Sequence, residues 1–214
     1  MKILRAMICC LLGYLVGTIN PSYIISRFRG FDIREQGSHN AGASNAVILF
    51  GKSVGVLCAL FDILKTCAVI RLVKYLFPFC RYAFVVTGTA CILGHIFPFY
   101  MNFRGGKGLA CLGGMILVYN WRIFLIFLTV EIVIALMTNY ICFVPITASF
   151  AFSAVYAYYS ADWLGTVLLT VVSCVILFRH TENLRRIRMG TELRLSYLWN
   201  KEAELARIRE TENR

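Results

Sequence analysis

Charge is scarce in this chain, and acidic charge is the scarcest. Asp and Glu number 11 against 22 Lys and Arg, and only 15% of the 214 residues are charged while 59% are hydrophobic. A soluble domain of this size has no use for that balance, least of all when the apolar residues fall in long blocks. Strict apolar/polar alternation is missing, and the blocks are too long for tilted strands, which excludes a β-barrel. No CxxC spacing occurs, and the cysteine count of nine is odd. Cys9, Cys10, Cys58, Cys67, Cys80, Cys91, Cys111, Cys142 and Cys174 mostly sit inside apolar blocks. They read as small buried hydrophobes rather than disulfide or metal ligands. No clean small-residue cleavage site follows Lys2, Arg5 and the first apolar run, so that run reads as a retained first span.

What is present is an all-α polytopic membrane protein, read as one domain over 1–214, with a helical bundle at 1–181 and a basic tail at 182–214. The net charge of +11 is spread over short loops and the tail. In a membrane protein that is a topology signal and an attraction to anionic lipid, and it argues against a nucleic-acid partner. Spans are expected near 3–25, 53–73, 81–99, 141–159 and 163–178. Residues 109–137 form either one helix or two short ones broken at Tyr119, Asn120, Trp121 and Arg122, an interfacial set. Nine Lys or Arg against six acidic residues from Arg179 to Arg214 place the tail in the cytoplasm. Breaking 109–137 in two puts Arg104 and Lys107 on the tail's side and gives seven spans with the N-terminus outside, against a weak opposing signal from Lys2 and Arg5.

Three stretches carry chemistry. Residues 94–114, GHIFPFYMNFRGGKGLACLGG, deliver Arg104, Gly105, Gly106, Lys107 and Gly108 just before an apolar segment. Glycines let backbone N–H groups approach an anion, Lys107 adds a charge, and a following helix adds its N-terminal dipole. The same pattern also suits an interfacial turn whose lysine meets lipid headgroups. Residues 26–52 are rich in Gly, Ser and Asn and suit turns rather than a continuous helix. In 179–192, RHTENLRRIRMGTE, His180 and Asn183 are three apart on one helical face and Arg186 extends the row. A neutral imidazole there can take a hydroxyl proton, or the segment is a basic amphipathic helix lying on lipid. Within the second span, Asp62 and Lys65 share a face and either line a polar cavity or pair with each other.

Taken in order, GSHNAGASN (37–45), the D-x-x-K of 62–65, GHIFPFYMNFRGGKGLA (94–110) and RHTENLRRIRMGTE (179–192) resemble the acyl-phosphate-dependent glycerol-3-phosphate acyltransferases of bacteria over nearly the whole chain. The resemblance implies a compact seven-helix bundle in the bacterial inner (plasma) membrane with its active site facing the cytoplasm. It implies acyl transfer from a fatty acyl phosphate to the 1-hydroxyl of glycerol 3-phosphate, giving lysophosphatidic acid and phosphate without metal, cofactor or acyl-CoA. His180, as base or phosphate ligand, Asn183 and Ser38 are the implied catalytic residues. Arg104, Gly105, Gly106, Lys107, Gly108, Asn40 and Asn45 would hold phosphate, with Asp62, Lys65, His95, Arg186 and Glu192 in support.

The chain departs from the family's usual pattern. His39 stands at the second glycine of G-S-G-N-x-G-A-T-N, Ser44 at its Thr, and Ile48 where an arginine would follow. Thr138, Asn139, Tyr140, Ile141 and Cys142 replace T-R-Y-x-S. Two arginine positions and a serine are therefore lost, and His39, Arg34 and Arg104 are the replacement cations on offer. The usual reaction, a different acyl acceptor, and a non-catalytic lipid-binding role are the readings this leaves. A transporter fits worst, because only Asp62 and Lys65 approach a polar path through the bilayer.

Overall fold

The computed structural model describes residues 2–212. Met1, Asn213 and Arg214, the ends of the single expected domain, lie outside the described residues. Among the described residues every regular element is a helix. The chain runs through α1 (Lys2–Thr18), α2 (Pro21–Phe28), α3 (Ala43–Phe50), α4 (Lys52–Leu76), α5 (Ala83–Ile96), α6 (Leu109–Tyr119), α7 (Trp121–Thr138), α8 (Phe143–Ser160), α9 (Trp163–Arg179), α10 (Thr181–Arg188) and α11 (Lys201–Glu212).

The first span breaks at Asn20 and Pro21. Asn20 is extended, its side chain accepts the Tyr23 N–H at 2.9 Å, and Pro21 opens α2. The 109–137 stretch also breaks, at Asn120, whose carboxamide accepts from Arg122 N at 2.8 Å and Ile123 N at 3.3 Å. Among the described residues, three segments are long and apolar enough to cross a membrane: Lys2–Phe28, Ala83–Met101 and Trp121–Thr138. A fourth follows if α9 and α10, bent by 41° at His180, count as one. The polar stretch 26–52 is more helical than expected. Ala43–Phe50 forms α3, packed over a small core of Ile33, Ala41, Ala46, Cys58 and Met101.

The bundle is built on close backbone approach. A methyl at Gly13 or Gly17 would overlap the carbonyls of Thr87 and Cys91, and one at Gly94 would overlap that of Tyr14. Helix α1 therefore lies directly on α5, as small residues four apart allow between helices in lipid. Phe152, Ile70, Ile92, Met115, Leu169 and Ile176 fill the interior. Leu57, Leu64, Leu136 and Val171 point outward. One end is closed by aromatic rings: Tyr119 lies 5.6 Å from both Phe84 and Tyr156 and 5.5 Å from Phe152. The loops carrying the chemistry gather at the other end.

Candidate active site

The glycine-rich turn is made by folding the chain back onto the last turn of α5. After Pro98, Asn102 and Phe103 take left-handed conformations, with φ of 51° and 56°. Gly105 N then donates to the Ile96 carbonyl at 2.9 Å and Gly106 N to that of His95 at 3.0 Å. A methyl on Gly105 would overlap the His95 carbonyl, and one on Gly106 the His95 ring, so these two positions exclude a side chain. This corrects the expectation that both glycines present N–H groups to phosphate, because those donors are spent on carbonyls that α5 would otherwise leave bare. What the turn offers an anion is Lys107, Gly108 (φ 88°) and the first amides of α6.

Opposite Lys107 stands the segment after α9. Lys107 Nζ donates to Asn183 Oδ1. Asn183 Nδ2 donates to Glu192 Oε1 at 2.5 Å, and Arg186 Nε donates to Glu192 Oε2 at 2.7 Å. Lys107, Asn183, Glu192 and Arg186 thus form one polar chain, with Asn183 and Glu192 buried. An ammonium has three donors, so Lys107 keeps two for a ligand. Burial lowers Lys107 from 10.5 to about 8, with Arg186 and Arg179 acting in the same direction and Glu192 and Cys142 opposing them.

His180 lies at the bend between α9 and α10, past the span, and is buried. Its Nδ1 is 2.7 Å from the Ile176 carbonyl. A carbonyl can only accept, so Nδ1 carries the proton and Nε2 carries the lone pair. Burial lowers the imidazole from 6.5 to about 4, against the Ile176 bond and helped by Lys107 and Arg179. The ring is a neutral hydrogen-bond acceptor over the physiological range.

The 26–50 region forms a second group. Asn45 does not reach toward a ligand. Its Nδ2 donates to the carbonyls of Ile33 (2.8 Å) and Gln36 (3.0 Å), and its Oδ1 accepts from Ser38 N at 2.8 Å. It is the fully buried staple of that loop, which corrects its expected role as a phosphate ligand. Ser38 is left half-buried and Asn40 buried. Among the described residues neither side chain bonds to Lys107. Arg34 is fixed to Asp32 by Nε–Oδ1 (2.9 Å) and Nη2–Oδ2 (2.6 Å) bonds and reaches the Met101 carbonyl at 2.5 Å. It ties this loop to the glycine turn instead of standing free. Arg104 is exposed, and Ile48 packs beside Gly37.

Beneath the turn, Asp62 and Lys65 pair at 2.6 Å, and His95 Nδ1 lies 3.4 Å from each of them. Lys65 also donates to the carbonyls of Gly17 (3.0 Å) and Ile19 (2.5 Å) at the broken end of α1. Asp62, His95 and Cys111 bring ligand atoms within 4.8 Å of one another, as a metal site would. The Lys65 ammonium already serves as the cation there, so the group is neutralised by the chain itself. Of the two readings open for Asp62 and Lys65, mutual pairing is what the geometry provides.

One cation missed from the sequence stands beside the site. Arg179 lies over the Phe97 ring at 5.9 Å, and its buried Nε has no hydrogen-bond partner among the described residues. Its signal was adjacency to His180, which a basic helix end explains equally well.

Residues 7–190 match the family model described as glycerol-3-phosphate acyltransferase. The chain belongs to the glycerol-3-phosphate acyltransferase family. It is 36% identical over 205 residues to glycerol-3-phosphate acyltransferase 1 of Oceanobacillus iheyensis, covering 92% of this chain and 98% of that protein. It is 33% identical over 191 residues to the glycerol-3-phosphate acyltransferase of Lactiplantibacillus plantarum, covering 88% of this chain and 91% of the relative. The crystal structure of PlsY, an integral membrane glycerol 3-phosphate acyltransferase, in its glycerol 3-phosphate form is similar with a TM-score of 0.82 and 30% identity, over 90% of this chain and 96% of that one. The lysophosphatidic acid form gives a TM-score of 0.77 at 29% identity, over 88% of this chain and 94% of that one. This family member is accordingly an integral membrane protein with several candidate spans.

Proposed function

We propose that this acyltransferase moves a fatty acyl group from an acyl phosphate to the 1-hydroxyl of glycerol 3-phosphate, releasing lysophosphatidic acid and inorganic phosphate. The hydroxyl oxygen forms a bond to the acyl carbon. The bond from that carbon to the phosphate oxygen breaks, and its electron pair leaves with phosphate. With so good a leaving group, orientation and charge stabilisation suffice, and no covalent enzyme intermediate or cofactor is invoked. Lys107, the α6 N-terminus, Arg179 and Arg186 hold the two phosphates, with Ser38, Asn40 and Arg104 at the margin. His180 Nε2 takes the hydroxyl proton. A base held near 4 chiefly by burial is weak when the site is empty, and two bound phosphates beside it favour the protonated ring and so raise it. The acyl chain lies along the apolar groove of Phe97, Val167, Val171, Cys174 and Phe178, which ends beside Arg179 and opens outward.

The observation that carries this reading is the bond from Lys107 to Asn183. It joins an anion-holding turn to the segment bearing a neutral histidine with a free lone pair. The reading places seven crossings (α1 with α2, α4, α5, α6, α7, α8 and α9) in a bacterial plasma membrane. The N-terminus is outside and the site is at the cytoplasmic leaflet. Reconstituted protein supplied with palmitoyl phosphate should form lysophosphatidic acid and release phosphate only when glycerol 3-phosphate is present, as read by mass spectrometry. Turnover only with an uncharged hydroxyl acceptor would move the assignment to a different acceptor, for which Ile48 beside Gly37 is the motivating feature. No acyl transfer from a folded protein to any acceptor would leave a lipid-binding role.

A further inference from the structure

The C-terminal stretch from Tyr197 onward mixes Glu, Arg and Lys with few apolar residues, the composition of a solvated helix. The structure instead folds it back against the site. Leu195 N donates to the Asn139 carbonyl at 2.7 Å, and Ser196 N donates to Asn139 Oδ1 at 3.0 Å. This seats the chain on the connection between α7 and α8. Helix α11 then returns along the loop after α10. Arg207 spreads its guanidinium over three partners. Nη2 donates to the Glu192 carbonyl at 2.7 Å and to Glu204 Oε1 at 2.5 Å, and Nη1 donates to the Gly190 carbonyl. Glu204 in turn accepts the Arg194 N–H at 2.9 Å. The loop 190–194 is therefore gripped by its backbone from one side, while the Glu192 side chain reaches the other way to Asn183 and Arg186. The match to the family model ends at residue 190, so Glu204 and Arg207 lie past it.

We propose that α11 is a positioning element of the active site, in which Arg207 holds the Glu192 backbone so that the Glu192 carboxylate keeps Asn183 and Lys107 aimed at the substrate phosphate. This rests on the reading of Lys107 and Asn183 as phosphate-holding. Arg207 touches no reacting atom. It acts through a relay of Glu192, Asn183 and Lys107, and its planar fork suits two carbonyls and a carboxylate at once in a way a lysine cannot match. Asn139 has a related task. Its left-handed backbone (φ 59°) and its side-chain oxygen form the seat for Leu195 and Ser196, which makes it a docking residue for the tail.

The test compares full-length protein in liposomes with Arg207→Ala, Arg207→Lys and a chain ending at Asn200. Lysophosphatidic acid formation is measured against each substrate concentration and against pH. Arg207→Ala and the truncation are expected to raise the KM for glycerol 3-phosphate about five- to tenfold with a smaller change in kcat, and Arg207→Lys to recover part of that loss. Lys107 is faced by Glu192, Arg186, Cys142, Arg179 and His180. Letting the one carboxylate of that set drift is expected to move the alkaline limb of kcat/KM to lower pH. Wild-type KM and pH profile in Arg207→Ala would overturn the proposal even if the truncated chain failed to fold. A lowered Tm with unchanged KM and pH limb would also overturn it, since that is a purely structural role. Asn183→Ala and Glu192→Gln separate the two levels. If they impair KM and Arg207→Ala does not, only the tail's role falls. If they are silent, the site reading falls and takes this inference with it.

Discussion

Lys107 changes charge within an accessible pH range because burial has brought it down to about 8. A lysine lowered in this way is charged below that pH and loses its proton above it, so phosphate binding is expected to be steady near pH 6–7 and to fall above pH 8. Kinetically, kcat/KM should drop toward a tenfold loss per pH unit beyond about pH 8.5. His180, lowered to about 4, is already neutral there and contributes no acid limb above about pH 5. Lys107→Ala is expected to raise the KM of a phosphate-bearing substrate about 10- to 100-fold, the scale of a lost charge-assisted bond. His180→Ala is expected to lower kcat about 10²- to 10⁴-fold, the usual range for a general base. Full activity in both variants would remove these residues from the site. Ile48→Arg would add a cation beside Gly37 and should increase glycerol 3-phosphate use if that acceptor is the right one. Unchanged or lower use would favour a different acceptor.

Elements were easier to read than side-chain partners, because their boundaries are local. Asn20 with Pro21 and Asn120 end helices through bonds two or three residues away, and both breaks are visible in the sequence. Lys107 and Asn183 were picked out separately by their motifs, but their bond spans 76 residues and needs the fold to be seen. A loop staple and a phosphate ligand use the same amide, so the sequence does not distinguish the two roles at Asn45. Arg207 was invisible, since no spacing rule ties it to a carbonyl 15 residues earlier. Helix α3 was missed because its glycine- and serine-rich entry masks a short apolar run. The contact of α1 with α5 gives a test at this scale. Gly17→Ala should destabilise the protein by about 1–3 kcal/mol, since its methyl meets Cys91 backbone that cannot yield as a flexible side chain would. Thermal unfolding in detergent would measure it, and an unchanged Tm would mean the two helices separate more readily than their packing implies.

For the molecule as a whole, the turn at 102–108 and the tail share one end of the bundle, while the Phe84–Tyr119–Tyr156 rings close the other. The proposed seven crossings would put the two termini on opposite sides of the membrane. An epitope at the C-terminus should be accessible in inverted vesicles only, and one at the N-terminus in right-side-out vesicles only. Both on the same side would exclude an odd number of spans. The asymmetry also bears on salt. Arg104, Arg185 and Arg188 are exposed on the turn and on α10, so binding of anionic substrates should weaken as ionic strength rises.

The Lys65 amine that meets the Gly17 and Ile19 carbonyls makes the first span depend on α4. Those carbonyls are bared by the break at Asn20 and Pro21, in a region where lipid offers no donor. The amine that serves them arrives 46 to 48 residues later in the chain. Without α4 in place these two carbonyls lose the Lys65 donor, so the broken end of α1 depends on a distant part of the chain. Lys65→Met, which bares both carbonyls again, is therefore expected to lower the amount of folded protein recovered from membranes.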